Sequence, residues 1–237
     1  MSKLLSTVLR APAFAALAVL AACGGANSET GATPADKPAA ASADGIKAGN
    51  DALSDMTLGS PDAPVLLIEY ASTTCPHCAS FHEGVFPTIK KDFIDTGKVR
   101  MVFREFPTSP ANLSVAASML ARCAAEKAGS KDAYFHVLGS LFATQRTWIL
   151  SETPRDELIK IASQAGMTEA DFDACVGRKE LLDFLNENIT EARDKYDINS
   201  TPSFVVNGQV RHFSSVEEVT KSLNEAVAKA EADKASE

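Results

Sequence analysis

The sequence predicts an α/β fold in which a βαβ half and a ββα half flank an inserted all-helical block. Three observations carry that prediction. Val65-Leu66-Leu67-Ile68-Glu69-Tyr70 is an almost unbroken apolar run, which suits a central strand covered on both faces. Phe81, Val85, Ile89 and Phe93 then recur at every fourth position, as on one face of a helix. Near the other end, Asn207-Gly208 separates Ser203–Val206 from Gln209–Phe213, the pattern of a two-residue hairpin.

The elements follow in chain order. The globular pattern starts at about Asp51. Met56-Thr57-Leu58 reads as a short edge strand, followed by a turn over Gly59–Pro64. Pro76 fits the first position of a helix, where no N–H is needed. Pro87 falls inside the periodic stretch and predicts a kink, because it has no N–H to give. Lys98–Phe106 alternates loosely and reads as a strand closed by Pro107. Asn112–Tyr196 reads as helical throughout: Leu113–Ala125, Ala133–Ala143, starts at Thr153-Pro154 and Thr168-Glu169, and a longer helix over Glu180–Tyr196. Val216–Lys229 is a closing helix, and residues 231–237 read as a disordered tail. Strands from both ends of the chain can share one sheet. The helical residues, at about 110–190, are therefore an insertion in one domain spanning 51–230. No internal repeat is present.

The chain has 237 residues, a net charge of −8 and a pI near 5.1. That balance argues against a nucleic-acid partner and a polybasic membrane patch. Residues 1–22 read as a secretory signal: Lys3 and Arg10 precede an apolar stretch too short to span a bilayer. It ends in Leu20-Ala21-Ala22-Cys23, which resembles a bacterial lipobox with Cys23 as the lipidated residue. The alternative is an ordinary cleavage site with Cys23 incidental. Residues 23–50 are rich in Ala, Gly, Ser, Thr and Pro and lack aromatics, so they read as a flexible tether with a reach of roughly 30 Å. The expected location is extracytoplasmic, facing the periplasm and lipid-anchored to a bacterial membrane.

Five cysteines are present. Cys75-Pro76-His77-Cys78 sits at a strand-to-helix junction. The first sulfur there meets the unpaired N–H groups and positive dipole end of the helix, which favour a thiolate. Cys75 is the attacked sulfur, Cys78 the resolving one, and His77 adds a donor or partial positive charge. A zinc site from Cys75, Cys78, His77 and His82 is the rival reading. These ligands are too closely spaced to close a tetrahedron, and no second Cys-x-x-Cys exists, so no metal is expected. A purely structural Cys75–Cys78 bridge would close too short a loop to stabilise much. No cofactor is expected beyond the redox-active disulfide. Cys123 and Cys175 read either as a structural disulfide, worth about 4 kcal/mol by loop closure, or as two buried free thiols. His82, His136 and His212 read as solvated or hydrogen-bonded scaffold residues. Trp148, Phe142 and Phe135 read as core of the insertion.

The Cys-Pro-His-Cys motif, the helical insertion and Ser200-Thr201-Pro202-Ser203-Phe204-Val205-Val206-Asn207-Gly208 together resemble the DsbA family of thioredoxin-fold disulfide oxidoreductases, over Asp51 to Ala230. The resemblance implies a cis peptide bond before Pro202, facing the disulfide. It implies that the Thr201 backbone pairs with an extended substrate segment. It places an acid beneath the active site, matched by Glu69, which takes or relays the proton of Cys78. From the residues alone, Glu69 is also compatible with an acid tolerated at a strand end. A second disulfide in the insertion is compatible with the family. Thr201 stands where the best-known members have Val.

A thiolate-stabilised first cysteine stabilises the reduced form, so the protein gives its disulfide away. The expected activity is therefore disulfide donation to folding secreted proteins. A disulfide reductase or isomerase using the same site is the alternative, and a non-catalytic peptide-binding lipoprotein is the more remote one. The implied partners are unfolded or reduced secreted proteins and, for re-oxidation, a DsbB-like membrane quinone reductase or another redox partner.

Overall fold

A computed structural model of the chain describes residues 45–236. The signal at 1–22, Cys23 and most of the tether lie outside the described residues.

The scaffold is a five-stranded sheet in the order β1-β3-β2-β4-β5. Its strands are β1 (Met56–Leu58), β2 (Val65–Ala71), β3 (Val99–Glu105), β4 (Ser203–Val206) and β5 (Gln209–Arg211). β2 and β3 are parallel; β1 pairs with β3, β4 with β2 and β5 with β4 antiparallel. The apolar run is thus the central strand, and all seven of its residues are buried. Side chains alternate across it. Val65, Leu67 and Ala71 join the larger core, while Leu66, Ile68 and Tyr70 join a smaller one. Gly59 makes the turn after β1 at φ +90°, and a Cβ there would lie 2.6 Å from the Val99 carbonyl. Asn207 and Gly208 both take positive φ in the predicted hairpin turn, though its second strand stops at Arg211 and not Phe213.

α1 (Pro76–Gly84) gives way to α2 (Phe86–Ile89) and a π-helical turn over Lys90–Ile94. The break falls just before Pro87, which has no N–H to extend the first helix. The insertion comprises α3 (Ala111–Ala128), α4 (Lys131–Ala143), α5 (Gln145–Ile149), α6 (Pro154–Gln164), α7 (Glu169–Val176) and α8 (Lys179–Tyr196). α7 starts in a capping box of Thr168 and Asp171. α5 lies within the stretch read as helical but is not singled out there as a segment, because five residues are too few to show a helical period. α3 and α7 are joined by a Cys123–Cys175 disulfide with the Cα atoms 6.2 Å apart. Trp148 and Phe142 are buried in the insertion core, and the indole N–H donates to the Leu141 carbonyl at 2.8 Å. Ala192 and Tyr196 of α8 cover the smaller core, and α9 (Val216–Ala235) packs Val219, Leu223 and Val227 on the larger one.

Two boundaries need correction. Residues 45–50, read as tether, belong to the fold. The Gly45 carbonyl accepts from Arg104 Nη2 at 3.2 Å, the Lys47 N–H donates to Asp55 Oδ2 at 2.9 Å, and Ile46 packs on the smaller core. Their low apolar content hid contacts made mainly by backbone. Residues 231–235, read as disordered, continue α9. Ala, Glu and Lys are strong helix formers, and Lys229 pairs with Asp233 one turn on at 2.7 Å.

Two buried arginines tie the layers together. Arg104 Nε and Nη2 donate to Asp55 at 3.2 and 2.9 Å, and Nη1 to the Tyr70 hydroxyl at 3.1 Å. Arg122 of α3 grips Glu105 of β3 with two bonds of 2.7 and 2.6 Å. It also donates to the Ala52 and Ser54 carbonyls, and Tyr134 of α4 donates to Glu105 at 2.8 Å. Removing one partner of such a pair strands the other charge in the interior, at a cost of about 3–5 kcal/mol. Arg122→Met is therefore expected to lose that much stability in urea denaturation.

Candidate active site

Three residues after β2 decide where the first sulfur sits. Ser72, Thr73 and Thr74 form a buried turn, and Cys75 follows as the N-cap of α1 with extended backbone, φ −80° and ψ 120°, ahead of Pro76. The Cys75 N–H donates to the Ser72 carbonyl at 3.1 Å. The hydroxyls pin the turn from the side. Ser72 Oγ lies 2.9 Å from Ser114 Oγ and accepts from the Thr108 N–H at 3.0 Å, while Thr74 Oγ1 donates to the Thr108 carbonyl at 3.0 Å. Gln145, at the start of α5, donates its side-chain amide to the carbonyls of Thr73 and Cys75 at 2.8 and 3.0 Å. It is only 5% exposed. Sequence reading missed it, since an isolated glutamine carries no periodic or motif signal.

Cys75 and Cys78 are free thiols in this structure, 7% and 0% exposed. Cys75 Sγ donates to the Thr201 carbonyl at 3.4 Å, and the Thr201–Pro202 peptide is cis. A second cis bond, Ser109–Pro110, leads into α3; nothing in the sequence reading anticipated it. The two sulfurs are driven apart in acidity. A hydrogen bond from Cys78 is the main cause that lowers Cys75 from its ordinary 9.0 to about 5, aided by the Thr201 side chain and the N–H groups of Cys78 and His77. Burial, then the bond to Cys75, then the charge of Glu69 push the Cys78 thiol far up.

Glu69 lies in the centre of the sheet, opposite Phe103 on one side and Phe204 on the other. It is fully buried. His82 Nε2 lies 3.1 and 3.0 Å from its two carboxylate oxygens. Of the three histidines read as scaffold, His136 and His212 are exposed, whereas His82 belongs to the floor of the site. His77 is exposed on α1 and faces a cleft of about 520 Å³ with Thr201, Pro202 and Phe213. A second cleft, of about 560 Å³, lies against Pro76, Ala79, Pro110 and Phe142. Among the described residues, no three His, Cys, Asp or Glu side chains gather to hold a metal ion.

The thiolate absorbance of the reduced protein is expected to rise in a single step near about pH 5, from Cys75. A depressed thiol stabilises the folded reduced form in full above its ordinary value of 9.0, and that contribution is lost as pH falls through about 5. Denaturation of the reduced protein, compared with the oxidised protein, is expected to show the gain growing between those limits. Thr201→Val removes one bond to the thiolate. It is expected to raise the Cys75 titration by about one to two pH units and to make the reduction potential roughly 30–60 mV more negative.

Comparison with known proteins accords with this geometry. A family model described as thioredoxin matches residues 51–225. A relative in Rickettsia typhi, provisionally named a protein-disulfide oxidoreductase, is 31% identical over 175 residues, 73% of this chain and 62% of the relative. The chain thus spans less than two thirds of the length of that relative. Disulfide bond formation protein D of Bacillus subtilis is 28% identical over 192 residues, covering 74% of this chain and 81% of the relative. The crystal structure of alpha-DsbA1 from Wolbachia pipientis superposes with a TM-score of 0.69 at 30% identity, over 76% of this chain and 94% of that one. The chain therefore belongs to the thioredoxin family, as a DsbA-like member carrying a helical insertion in the sheet's long crossover.

Proposed function

We propose that this protein is an extracytoplasmic thiol–disulfide oxidoreductase that donates a Cys75–Cys78 disulfide to folding secreted proteins. The observation that carries the reading is the opposed acidity of the two sulfurs beside cis-Pro202. With Cys75 near about 5, thiolate outnumbers thiol about a hundredfold at pH 7. That stabilises the reduced enzyme and leaves the disulfide oxidising.

The chemistry runs in two displacements. A substrate thiolate attacks Cys75 Sγ and forms a mixed disulfide; the electrons of the broken bond go to the Cys78 sulfur, which takes a proton. A second substrate thiolate attacks the substrate sulfur of that mixed disulfide, forms the substrate disulfide and releases Cys75 as its thiolate. Two electrons pass from substrate to enzyme. Of the two thiol protons lost by the substrate, one ends on Cys78 and one in solvent. Pro76 and His77 shape the start of α1, and the Thr201 backbone and Pro202 hold an extended substrate segment by strand pairing. Glu69 handles the Cys78 proton. Cys123 and Cys175 brace the insertion.

The signal at 1–22 and a lipid on Cys23 would place this domain outside the cytoplasm and tether it to a membrane. Among the described residues, no helix is long and apolar enough to cross one. Turnover requires an electron acceptor to re-oxidise Cys75 and Cys78, a role that a membrane quinone reductase of the DsbB kind or another redox partner would fill.

Purified oxidised protein is expected to form disulfides in a reduced, unfolded substrate, and Cys75→Ser is expected to abolish this. Equal rates for the two proteins would sink the reading. A measured potential at or below about −270 mV would instead indicate a reductase. Full physiological function after alkylation of Cys75 would indicate a binding module.

A further inference from the structure

We infer that His82, acting through Glu69, carries the proton that Cys78 takes up when the disulfide opens and returns when it closes. The inference rests on the redox reading of Cys75 and Cys78 and names the group behind the acid.

The first argument is placement. Cys78 and His82 are four residues apart on α1, so their side chains share one face, and in a helix such neighbours lie one above the other. That face looks onto β2, where Glu69 points up from the centre of the sheet. His82 Nε2 sits between both carboxylate oxygens at 3.1 and 3.0 Å. The His82 side chain is 7% exposed and that of Glu69 0%.

The second argument is isolation. His82 stacks on Phe142 with centroids 4.4 Å apart and planes at 27°, and Phe86 and Phe103 close the cage at 4.9 and 5.8 Å. Phe103 and Phe204 flank Glu69 across the sheet. The titratable side chains that feel the charge of Glu69 include Cys78 from α1 and Tyr134 from α4. Tyr134 is committed as a donor to Glu105 of β3, which is held by Arg122 of α3. The Ser72 N–H that reaches the Cys78 sulfur is a backbone amide and cannot give up its proton at neutral pH.

The third argument is chemical need. Cys78 is fully buried, and the charge of Glu69 acts on its sulfur. A buried thiolate of high basicity is a poor leaving group. It departs from Cys75 readily only if a proton arrives as the S–S bond breaks. In the reverse direction the Cys78 thiol must lose that proton before it attacks the mixed disulfide. Imidazole is the side chain suited to exchanging a proton near neutral pH. In the opening step the S–S electron pair passes to Cys78, the proton passes from the Glu69–His82 pair to that sulfur, and the pair is recharged by one of the protons shed by the substrate thiols.

The test is single-turnover opening of the oxidised protein by dithiothreitol, followed across the neutral pH range by acid quench and thiol alkylation. His82→Phe fills the cage without ring nitrogens, and His82→Gln keeps a hydrogen bond to Glu69 but cannot exchange a proton. Both, and Glu69→Gln, are expected to slow opening about a hundredfold and to flatten its pH profile. The double variant His82→Gln/Glu69→Gln is expected to be no slower than the slower single. In every variant the Cys75 thiolate is expected still to titrate in one acid step, which separates proton supply from a collapsed site. A wild-type rate and pH profile in His82→Gln overturns the inference and leaves His82 as a structural partner of Glu69. Failure of the wild-type protein to react with dithiothreitol overturns both this inference and the redox reading beneath it.

Discussion

The turn from Ser72 to Thr74 is the constraint on which the rest of the site depends. It has to end a central strand, enter a helix and leave the Cys75 sulfur against Thr201 and Pro202. A buried turn has polar backbone groups that no strand or helix ladder satisfies, and each left unpaired would cost about 1–3 kcal/mol. Here Gln145 of the insertion supplies partners for the Thr73 and Cys75 carbonyls, while Ser114 of the insertion and Thr108 of the segment leading into it hold the turn's hydroxyls. The helical block is thus part of the mould that shapes the active-site turn.

The interior charges divide by the kind of cation that answers them. Arg104–Asp55 and Arg122–Glu105 are bidentate pairs with further bonds to hydroxyls and carbonyls. Guanidinium is permanently charged and rigid, so these pairs fix geometry: one anchors residues 45–55 to β3, the other locks α3 and α4 onto the same strand. Glu69 has a histidine instead. An imidazole, unlike a guanidinium, is not permanently charged, which sets the Glu69–His82 pair apart from the two arginine pairs.

Much of this architecture was legible in the sequence. Val65–Tyr70 announced the central strand because burial on both faces demands an unbroken apolar run. The four-residue spacing from Phe81 announced the following helix, and Pro87 its break. Residues 45–50 were not legible, since they join the fold through backbone carbonyls and amides that composition does not display. The end of α9 was not legible either: charged residues on an exposed helix and on a disordered tail look alike, and side-chain pairs such as Lys229–Asp233 appear only once the helix is built.

The same division runs through the site. Sequence alone singled out the two sulfurs proposed to do the chemistry, because a Cys-x-x-Cys at a strand–helix junction fixes its two side chains one turn apart by local geometry. It also marked Pro202 and Glu69, through a resemblance carried by short contiguous motifs. Only the tertiary structure decided how those groups are held and balanced. Gln145 reaches the Cys75 turn across 70 residues of chain, Thr201 meets the Cys75 sulfur across 126, and Cys123 meets Cys175 across 52. His82 is near in sequence, yet its partner stands on a different element. Hydrogen bonds between separate elements depend on the packing of whole layers, and no local pattern of residues encodes them.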